Sequence, residues 1–544
     1  MRSTKSLCPE CLAVIDASIL EENGEMIFEK TCTKHGYFRD IYWSDPVQFK
    51  RFERYRHDGG GVLNPSGLNE NCPNSCGICT SHKTTTILAN IDVTNRCNQA
   101  CPVCFANASS SGCLYEPSLT QIRTMMQMLR NEKPVPCPAV QFTGGEPTMR
   151  DDIVEIVKMA REFNFTQIQM ATNGIKLSMS LELCLQLYDA GLHTVYLQFD
   201  GVTEEPYIKN RGFNALPFKL KAIENCRKSG LTSVSLVPTL ARGVNDMQVG
   251  DIIRFGIKNM DTVKGINFQP ISFTGRINRE ERIKKRITIS DLFKLIDEQT
   301  DGAITANDFY PVPFVLPISH FVAAEECTPI IEFTVHPHCG TGTYVYIENG
   351  KMIPITRFID VEGLLEHIED LALNGDKWIG KSLGKIKRIG SLISALPKYI
   401  DLSKAPKSID VKKLFIDVLK EGTEESIKEF HRNTLFIGSM HFMDLYNIDL
   451  ERITRCGVHY ATPDGRIIPF CTYNTIHRAQ VEKKFSLPID ISGKKVLIVD
   501  DIVDTGDTFT VTMDYVKGKD NKKILLLVPH IINRPYILRH HMLE

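Results

Sequence analysis

Three cysteines stand close together in one short run of the chain, and their spacing suits an iron–sulfur cluster. Cys97, Cys101 and Cys104 form a Cys-x3-Cys-x2-Cys pattern. A 4Fe–4S cluster usually takes four cysteine ligands. With three, one iron keeps an open position, as a catalytic metal does. A structural zinc or a closed iron–sulfur site is the alternative interpretation.

The cysteine run is placed by two predicted strands. It follows an apolar stretch over residues 85–94, so the thiolates would lie at the C-terminal end of a strand. A second short strand, Val140–Thr143, ends in Gly144, Gly145 and Glu146. The sequence therefore predicts that a Gly-Gly-Glu strand end lies beside the cysteine run.

These two motifs together resemble the radical S-adenosylmethionine superfamily. The resemblance implies that the three cysteines hold a 4Fe–4S cluster, whose open iron is chelated by the amino and carboxylate groups of S-adenosylmethionine. It also implies that Gly144, Gly145 and Glu146 meet the methionine amino group, and that Phe105 lies near the adenine.

Composition sets limits on the class of protein. The 544 residues are too many for one core and predict about three or four domains. A formal net charge of −1 gives no indication of a nucleic-acid partner. The first residues have no apolar core like that of a signal peptide, and no apolar stretch is long enough to span a bilayer, so we expect neither a secretory signal nor a membrane span. We therefore expect the 17 cysteines to lie in the reducing cytoplasm, where clustered cysteines more often bind metal than form disulfides.

Short apolar strands alternate with helical stretches from residue 85 to residue 275, which predicts a parallel sheet with crossover helices. Side chains at the C-terminal ends of such strands converge on one site, and we expect Asn173, Asp200 and Gln269 to bind the cofactor there. About six units predict a partial (βα)6 barrel of the radical superfamily. The predicted strands are Leu88–Val93, Val140–Thr143, Gln167–Ala171, Thr194–Phe199, Ser233–Pro238 and Gly265–Pro270.

The N-terminal region carries a separate set of metal ligands. Cys8 and Cys11 form a Cys-x2-Cys knuckle, and Cys32 and His35 follow in a run that ends in glycine. Three thiolates and one imidazole suit a tetrahedral zinc, and iron is possible. The sequence therefore predicts a mononuclear zinc or iron site.

A second Cys-x3-Cys-x2-Cys run consists of Cys72, Cys76 and Cys79. No Gly-Gly-Glu strand follows it at the expected distance, so it predicts an auxiliary 4Fe–4S cluster whose fourth ligand is not assigned. Cys32 could serve this site or the mononuclear one.

Four further cysteines are scattered beyond the barrel. Four thiolates complete a cluster without an outside ligand, so these predict a second auxiliary 4Fe–4S cluster that only folding would assemble. Four unrelated cysteines are the alternative. The residues are Cys327, Cys339, Cys456 and Cys471.

A lysine-rich segment over residues 377–413 interleaves basic and apolar residues. Such a segment is typical of peripheral contact with an anionic membrane surface, and a solvated helix packed on its own domain is the alternative. The tail over residues 495–508 resembles the ribose-phosphate loop of type I phosphoribosyltransferases, in which Asp500 and Asp501 would bind ribose hydroxyls. The preceding half of such a domain is absent, so we expect a truncated and inactive remnant.

A wider likeness runs from Cys8 to about Arg478. The N-terminal Cys-Pro-x-Cys and Cys-x-x-His-Gly, residues 90–108, residues 141–148 and the run Cys456–Tyr460 resemble the archaeal tetraether lipid synthase subfamily. Members have also been described as methylases of 7,8-dihydro-6-hydroxymethylpterin.

The resemblance implies a radical S-adenosylmethionine lipid synthase. Two 5′-deoxyadenosyl radicals would each take a hydrogen from a terminal methyl of an isoprenoid ether lipid chain, and the two carbons would join after one is held on an auxiliary cluster. A ferredoxin- or flavodoxin-type protein would donate electrons, and the enzyme would touch the membrane peripherally. A radical methylase of 7,8-dihydro-6-hydroxymethylpterin is the alternative, and it would need a small pocket with hydrogen-bonding groups.

The predicted fold class is α/β, a partial (βα)6 radical SAM barrel flanked by an N-terminal metal-binding domain and a C-terminal auxiliary-cluster domain. The expected boundaries are 1–83 for the cysteine-rich metal domain, 84–285 for the barrel, 286–488 for the auxiliary-cluster domain and 489–544 for the tail.

Overall fold

The computed structural model places most of the chain. It describes residues 2–67, 72–108, 113–326, 328–374, 381–408, 411, 433–486, 495–499 and 523–527. The chain divides into two compact units, Met1–Phe485 and Ser486–Glu544. The domain boundaries predicted within the first unit stay predictions.

A four-stranded antiparallel sheet begins the chain, and the next element is helix α1. Asp45 caps this helix by accepting hydrogen bonds from the Val47 and Gln48 amides. One face of the sheet and the apolar face of α1 bury Phe28, Trp43 and Phe52 in the main core. The elements are β1 Arg2–Leu7, β2 Val14–Glu22, β3 Glu25–Cys32, β4 Gly36–Trp43 and α1 Pro46–Glu53.

Parallel strands then alternate with helices. All six predicted strands are confirmed, each within two residues of its expected ends. The elements are β5 Leu88–Thr94, α2 Leu119–Arg130, β6 Ala139–Gly144, α3 Ile153–Glu162, β7 Gln167–Thr172, α4 Ile175–Met179, α5 Leu181–Ala190, β8 Thr194–Gln198, α6 Glu205–Arg211, α7 Leu216–Ser229, β9 Val234–Val237, β10 Thr239–Leu240, α8 Val249–Lys258 and β11 Val263–Pro270.

The remainder of the first unit adds helices and short strands. These are α9 Arg282–Lys285, α10 Ile289–Gln299, β12 Tyr310–Pro311, α11 Leu316–Glu326, β13 Gly340–Glu348, β14 Lys351–Pro354, α12 Val361–Asn374, α13 Lys381–Tyr399, β15 Thr434–Met440, α14 Leu450–Thr454, β16 Val458–Ala461, β17 Ile467–Pro469, α15 Phe470–Thr472 and α16 Arg478–Lys484. The π-helical turn Tyr473–His477 joins the last two helices.

The barrel strands lie in the order β5-β6-β7-β8-β9-β11, each parallel to its neighbour. They form the centre of a sheet to which C-terminal strands add on both edges. Strand β15 pairs in parallel with β11, and β16 pairs in parallel with β5. The expected partial barrel is confirmed, and C-terminal residues complete its sheet instead of forming a separate layer.

Side chains alternate between the two faces of this sheet, as they must along any strand. Ile91, Phe142, Met170 and Leu197 belong to the main core, together with the apolar faces of α2, α3 and α5. The residues between them therefore face the concave side, where the strands curve around the site.

A smaller core lies among α11, α12 and α13. Leu392, Leu396 and Ile400 are buried there against Phe321, Leu364 and other apolar side chains. Arg388 pairs with Glu325. The expectation that this basic segment lies on a membrane lacks a structural basis, because Leu392, Leu396 and Ile400 pack within the protein, although Leu402 is exposed. No helix among the described residues is long and apolar enough to cross a membrane.

The second unit is described only at two strands. Strand β18, Lys495–Val499, pairs in parallel with β19, Lys523–Leu527. Asp500, Asp501 and the loop that follows them lie outside the described residues.

Candidate functional site

The cysteine run begins where β5 ends, and the end of β6 is pressed against it. The Gly145 amide donates to the Thr94 carbonyl at 2.7 Å, and the Glu146 amide donates to the Arg96 carbonyl at 2.8 Å. A Cβ on Gly144 would stand 2.0 Å from the Thr94 oxygen, and one on Gly145 would stand 2.3 Å from the Arg96 oxygen. Only glycine fits here, so the glycine pair fixes the backbone that leads into Cys97.

Glu146 is buried, and its carboxylate organises the neighbouring strand end. One oxygen accepts hydrogen bonds from the Thr148 and Thr172 hydroxyls, and the other accepts from the Asn173 amide at 2.7 Å. The Asn173 side chain in turn donates to the Asn98 side chain at 2.7 Å, inside the cysteine run. The structure therefore brings Glu146 and Asn173 to the three cysteines, as the strand-end rule predicts.

Two arginines hold the cysteine run from the other side. Arg211, at the end of α6, donates to the Val103 carbonyl at 2.9 Å. Arg276 donates to the Cys101 carbonyl at 3.3 Å and the Ala108 carbonyl at 2.6 Å. Gly275, with a φ of +65°, allows this approach, because a Cβ there would lie 2.3 Å from the Cys104 oxygen.

Asp200 is fully buried, and its carboxylate pairs with the Arg211 guanidinium at 2.6 and 2.8 Å. It also accepts from the Thr239 amide. Asp200 as a cofactor ligand stays a prediction, and its carboxylate contacts in the described structure are to Arg211, Thr239 and Gln198. Gln269 donates to the Tyr196 hydroxyl at 3.0 Å, and its role as a cofactor ligand also stays a prediction.

Lys219 is a site residue that the sequence analysis missed. Its ammonium is completely buried, and it donates to the Asn173 carbonyl at 2.5 Å and to the Gln198 side chain at 2.7 Å. Burial lowers the pKa of Lys219 to about 7. One lysine within a helix carries no sequence signal of this kind, and only the folding of α7 over the strand ends reveals it. Arg211 was missed for the same reason.

The three thiols suit a cluster with one open iron. None of them forms a disulfide. Burial, together with the nearby Glu146 and the other two thiols, raises the pKa of Cys97 to about 12. A buried thiolate needs a compensating positive charge, which a bound cluster provides. The donor set therefore fits a 4Fe–4S cluster that takes S-adenosylmethionine as its remaining ligand.

Aromatic side chains connect Phe105 to the C-terminal region. The Phe105 ring lies 5.4 Å from Phe470 and 5.9 Å from Phe442, measured between centroids. Tyr460 and Tyr473 stack at 4.1 Å beside them. Aromatic residues that are far apart in the chain therefore line one side of the cysteine run. The placement of Phe105 near the adenine stays a prediction.

The C-terminal cysteines gather around a buried arginine. The Arg452 Nε donates to the Cys339 Sγ at 3.4 Å, and the Met443 amide donates to the Cys471 Sγ at 3.3 Å. Burial and the other two thiols raise the pKa of Cys456. These three thiols share one neighbourhood and fit an auxiliary cluster, while Cys327 lies outside the described residues.

The run of Cys72, Cys76 and Cys79 packs against the same C-terminal region. Cys76 Sγ lies 3.4 Å from the Thr472 hydroxyl, and the Ile78 amide donates to the Ile467 carbonyl at 2.6 Å. Burial raises the pKa of Cys76 to about 12. Two buried thiols and the half-buried Cys72 thiol in one short loop fit an auxiliary cluster, and its fourth ligand stays unassigned.

The N-terminal ligands come together in tetrahedral proportions. Cys8, Cys11, Cys32 and His35 offer ligand atoms that all lie within 4.8 Å of one another. Cys11 and Cys32 Sγ atoms are 3.9 Å apart, and His35 Nδ1 lies 3.5 Å from Cys8 Sγ. The edges of a tetrahedron around zinc are roughly 3.5–3.8 Å. The Lys34 amide and His35 lower the pKa of Cys32 to about 6, which favours a thiolate ligand.

The concave face of the barrel sheet is polar along four adjacent strands. Asp92 accepts from the Thr143 hydroxyl at 2.7 Å and the Tyr473 hydroxyl at 3.0 Å, and it pairs with Arg478. Tyr196 accepts from side chains of β11. The other polar side chains of this face are Asn90, Gln141, Gln167, Gln169, Thr194 and Gln198.

Three family models match parts of the chain. Residues 91–256 match the Radical SAM superfamily, residues 1–44 match the HMPTM N-terminal zinc ribbon domain, and residues 471–535 match the Phosphoribosyl transferase domain. The predicted radical S-adenosylmethionine chemistry is confirmed. The expected 4Fe–4S cluster, S-adenosylmethionine and N-terminal metal site are confirmed with it.

Individual proteins match more of the chain. The 7,8-dihydro-6-hydroxymethylpterin dimethyltransferase of Methanocaldococcus jannaschii is 54% identical over 496 residues, which are 90% of this chain and 96% of that protein. The GTP 3′,8-cyclase of Clostridium acetobutylicum is 26% identical over 218 residues, 40% of this chain and 67% of that protein. The solved structure of Streptococcus suis SuiB bound to precursor peptide SuiA covers 40% of this chain and 46% of its own, at 19% identity and a TM-score of 0.33.

The near full-length match corrects the predicted subfamily. Its protein is a pterin dimethyltransferase, so the placement of this chain among tetraether lipid synthases is wrong. That placement rested on cysteine, Gly-Gly-Glu and metal-knuckle motifs. Such motifs serve cofactors, which two chemistries can share, and they carry no information about the substrate.

Proposed function

Since the chain belongs to the 7,8-dihydro-6-hydroxymethylpterin dimethyltransferase family of the radical S-adenosylmethionine superfamily, we propose that it methylates a reduced hydroxymethylpterin. The enzyme class is radical S-adenosylmethionine. When bound, the 4Fe–4S cluster and S-adenosylmethionine supply hydrogen-atom abstraction from an unactivated C–H bond, which no side chain can achieve by acid–base chemistry.

One observation supports this substrate above the others. The concave face of the barrel is built from amides, hydroxyls and a carboxylate, among them Gln141, Gln169, Tyr196 and Asp92. A pterin is flat and carries several hydrogen-bond donors and acceptors around its edge. Polar side chains that converge on a concave site favour such a ligand, because each donor and acceptor of the ligand can be paired.

The expected isoprenoid lipid substrate is wrong. The near full-length relative is a pterin dimethyltransferase, and the physical reason lies in the same concave face. An alkyl chain laid against Gln141 and Gln169 would leave the Gln141 carbonyl oxygen and the Gln169 carboxamide, which have no other hydrogen-bond partner among the described residues, unsatisfied, at a cost of about 1–3 kcal/mol for each. The expected peripheral membrane contact is not supported either, because Leu392, Leu396 and Ile400 of the basic segment are buried within the protein.

Each group of residues at the site has a separate role. Cys97, Cys101 and Cys104 hold the cluster, and the Glu146 carboxylate fixes Asn173 so that its backbone and side chain face S-adenosylmethionine. Phe105 and its aromatic neighbours exclude water from the reacting groups. Arg211 and Arg276 keep the cysteine run in place.

Anaerobic incubation tests the proposal. The reconstituted protein, S-adenosylmethionine, a reductant and 7,8-dihydro-6-hydroxymethylpterin are combined, and the pterin is analysed by mass spectrometry. For each methyl group, one S-adenosylmethionine would be reductively cleaved to methionine and 5′-deoxyadenosine, and a second would donate its methyl and leave as S-adenosylhomocysteine, with the reductant supplying two electrons. We therefore expect pterins that carry one and then two additional methyl groups, together with 5′-deoxyadenosine and S-adenosylhomocysteine. An unchanged pterin in a preparation that cleaves S-adenosylmethionine would contradict the proposed substrate.

Two variants control this experiment. Replacing Cys97, Cys101 and Cys104 together by alanine should abolish both 5′-deoxyadenosine and methylated pterin while the N-terminal metal site stays filled. Cys184→Ala changes a cysteine of α5 that is buried in the main core, outside every ligand group, and it should keep both activities. Equal loss in the two variants would indicate a general effect of removing cysteines.

A further inference from the structure

Three carboxamide side chains form a row across the concave face of the barrel. Asn90 on β5 stands opposite Gln141 on β6, and Gln141 stands opposite Gln169 on β7. The residues on either side of Gln169, Ile168 and Met170, both belong to the main core. Strand alternation therefore directs Gln169 toward the concave side, with Asn90 and Gln141.

The hydrogen bonds of this row are complete at one end and open at the other. Asn90 accepts from the Gln141 side-chain amide at 2.9 Å and donates to the His459 carbonyl at 3.3 Å. The Gln141 carbonyl oxygen accepts nothing from the described residues. Gln169 makes no side-chain hydrogen bond within the described part of the chain. It lies on the concave face of the sheet and is half buried there.

The open end offers a specific pattern. Gln169 presents one amide donor and one carbonyl acceptor, and Gln141 presents an acceptor beside them. The pyrimidine edge of a pterin carries the complementary groups in order, the 4-oxo acceptor, the N3–H donor and the 2-amino donor. A carboxamide reads such a heterocycle edge through two parallel hydrogen bonds, as it does with purine bases.

The next layer toward the strand ends is lined by side chains of mixed size. Ala171 stands beside Tyr196, Tyr196 beside Ser235, Ser235 beside Gly265, and Gly265 beside Phe436. Ala171, Ser235 and Gly265 are small, while Tyr196 and Phe436 are large aromatic groups. A ring system held by its edge at the amide row would therefore lie along β7, over Ala171 and against the Tyr196 ring.

The row also lies at a suitable depth. Gln141 is three residues before Gly144, and Gln169 is four before Asn173. At about 3.3 Å per residue the strand ends lie roughly 10–13 Å above the row. Two fused rings with a hydroxymethyl group span a comparable length. With its pyrimidine edge at the row, the pterin would direct the opposite ring, which bears the 6-hydroxymethyl group, toward the cysteine run.

We infer that Gln169 and Gln141 bind the 2-amino-4-oxo pyrimidine edge of the pterin and set its orientation, an inference that rests on the proposed function. Gln169 donates to the 4-oxo group and accepts from N3–H. Gln141 accepts from the 2-amino group and is itself held by Asn90. Binding of this edge then directs the far ring toward the radical site. No side chain needs to contact the carbon that is methylated.

Equilibrium binding of 7,8-dihydro-6-hydroxymethylpterin to the full-length reconstituted protein tests this inference, measured by anaerobic calorimetry. Gln169→Leu and Gln141→Leu keep the side-chain volume and remove the hydrogen bonds. We expect each to weaken pterin binding by roughly tenfold to a hundredfold. Affinity for S-adenosylmethionine, iron content and the unfolding midpoint should stay as in the wild type. Gln186→Leu, on the exposed face of α5, is the matched control and should bind pterin normally.

A second variant tests the direction of the hydrogen bonds. Gln169→Glu replaces the donor by a second acceptor, which would face the 4-oxo oxygen, so it should bind the natural pterin at least as weakly as Gln169→Leu does. Pterin binding by Gln169→Glu as tight as in the wild type would contradict the assigned pairing. Gln169→Glu keeps a polar side chain of the same length, so it remains informative if Gln169→Leu does not fold.

The outcomes separate the two conclusions. Normal pterin binding by Gln169→Leu, Gln169→Glu and Gln141→Leu, with binding by the wild type, would overturn the amide row and leave the proposed function standing. Absence of pterin binding by the wild type would overturn both.

Discussion

The guanidinium of Arg211 donates a 2.9 Å hydrogen bond to the carbonyl of Val103, in the middle of the three-cysteine run. Its other nitrogens pair with the buried Asp200 carboxylate, at 2.6 Å and 2.8 Å, and one also donates to the Thr239 hydroxyl. These contacts hold the three-cysteine loop against the ends of two barrel strands.

Arg211→Lys should therefore loosen the cluster loop. A lysine cannot make the two parallel bonds to Asp200 and the bond to Val103 together, and it leaves a buried carboxylate poorly compensated, at a cost of about 3–5 kcal/mol. We expect fewer irons per chain after gel filtration and a lower unfolding midpoint. Arg254→Lys changes an exposed pair with Asp251 and should alter neither. Full iron content in Arg211→Lys would show that the fastening is unnecessary.

Gly145→Ala should displace the lead-in to Cys97. The added methyl would stand 2.3 Å from the Arg96 carbonyl oxygen, and backbone cannot yield as a flexible side chain does. We expect loss of the spectroscopic signal of the S-adenosylmethionine-binding cluster while zinc at the N-terminal site is retained. The matched control is Gly390→Ala, whose added methyl meets nothing within 4 Å. An intact cluster signal in Gly145→Ala would refute the steric argument.

Cys32→Ser should remove one metal ion without affecting the radical site. The three remaining ligands cannot close the tetrahedron, and the serine hydroxyl is a poor ligand for zinc. Elemental analysis should show one mononuclear metal fewer per chain with unchanged iron in the clusters. A parallel loss of cluster iron would instead mean that Cys32 serves the neighbouring auxiliary cluster, the alternative that its spacing leaves open.

Lys219 should make the protein more stable as the pH rises from 7 to 9. Burial lowers its folded-state pKa to about 7, against about 10.4 in an unfolded chain. In this window the unfolded state binds more protons, so the free energy of unfolding increases with pH, by on the order of 2 kcal/mol. Urea unfolding at pH 7 and pH 9 measures this increase.

Lys219→Met should lose that increase, because no ammonium is then buried. Lys221→Met, on the exposed face of the same helix, should keep it. Parallel pH dependence in the wild type and Lys219→Met would show that other groups are responsible.

A chain that ends at residue 488 should keep its metal sites and its radical activity. The first compact unit ends at Phe485, and every ligand residue that the structure describes lies before that point. Iron content, zinc content and 5′-deoxyadenosine formation are the measurements. A soluble truncated protein that lacks all three would show that the tail belongs to the working fold.

The sequence by itself determined the cofactor chemistry and the elements that carry it. The spacing of Cys97, Cys101 and Cys104 and the Gly144–Glu146 strand end are local patterns, and so are the six parallel strands and the N-terminal Cys3His set. Their physical causes, ligand spacing and side-chain periodicity, act over a few residues and can be seen without a fold.

Only the tertiary structure decided how the site is held and which side chains face one another across it. Arg211 meets Val103 across 108 positions of the chain, and Arg478 reaches Asp92 across 386. The amide row of Asn90, Gln141 and Gln169 exists only through the register of three strands. Substrate recognition depends on which side chains face one another across the sheet, and that pairing is set by packing between distant segments, which local sequence patterns do not encode.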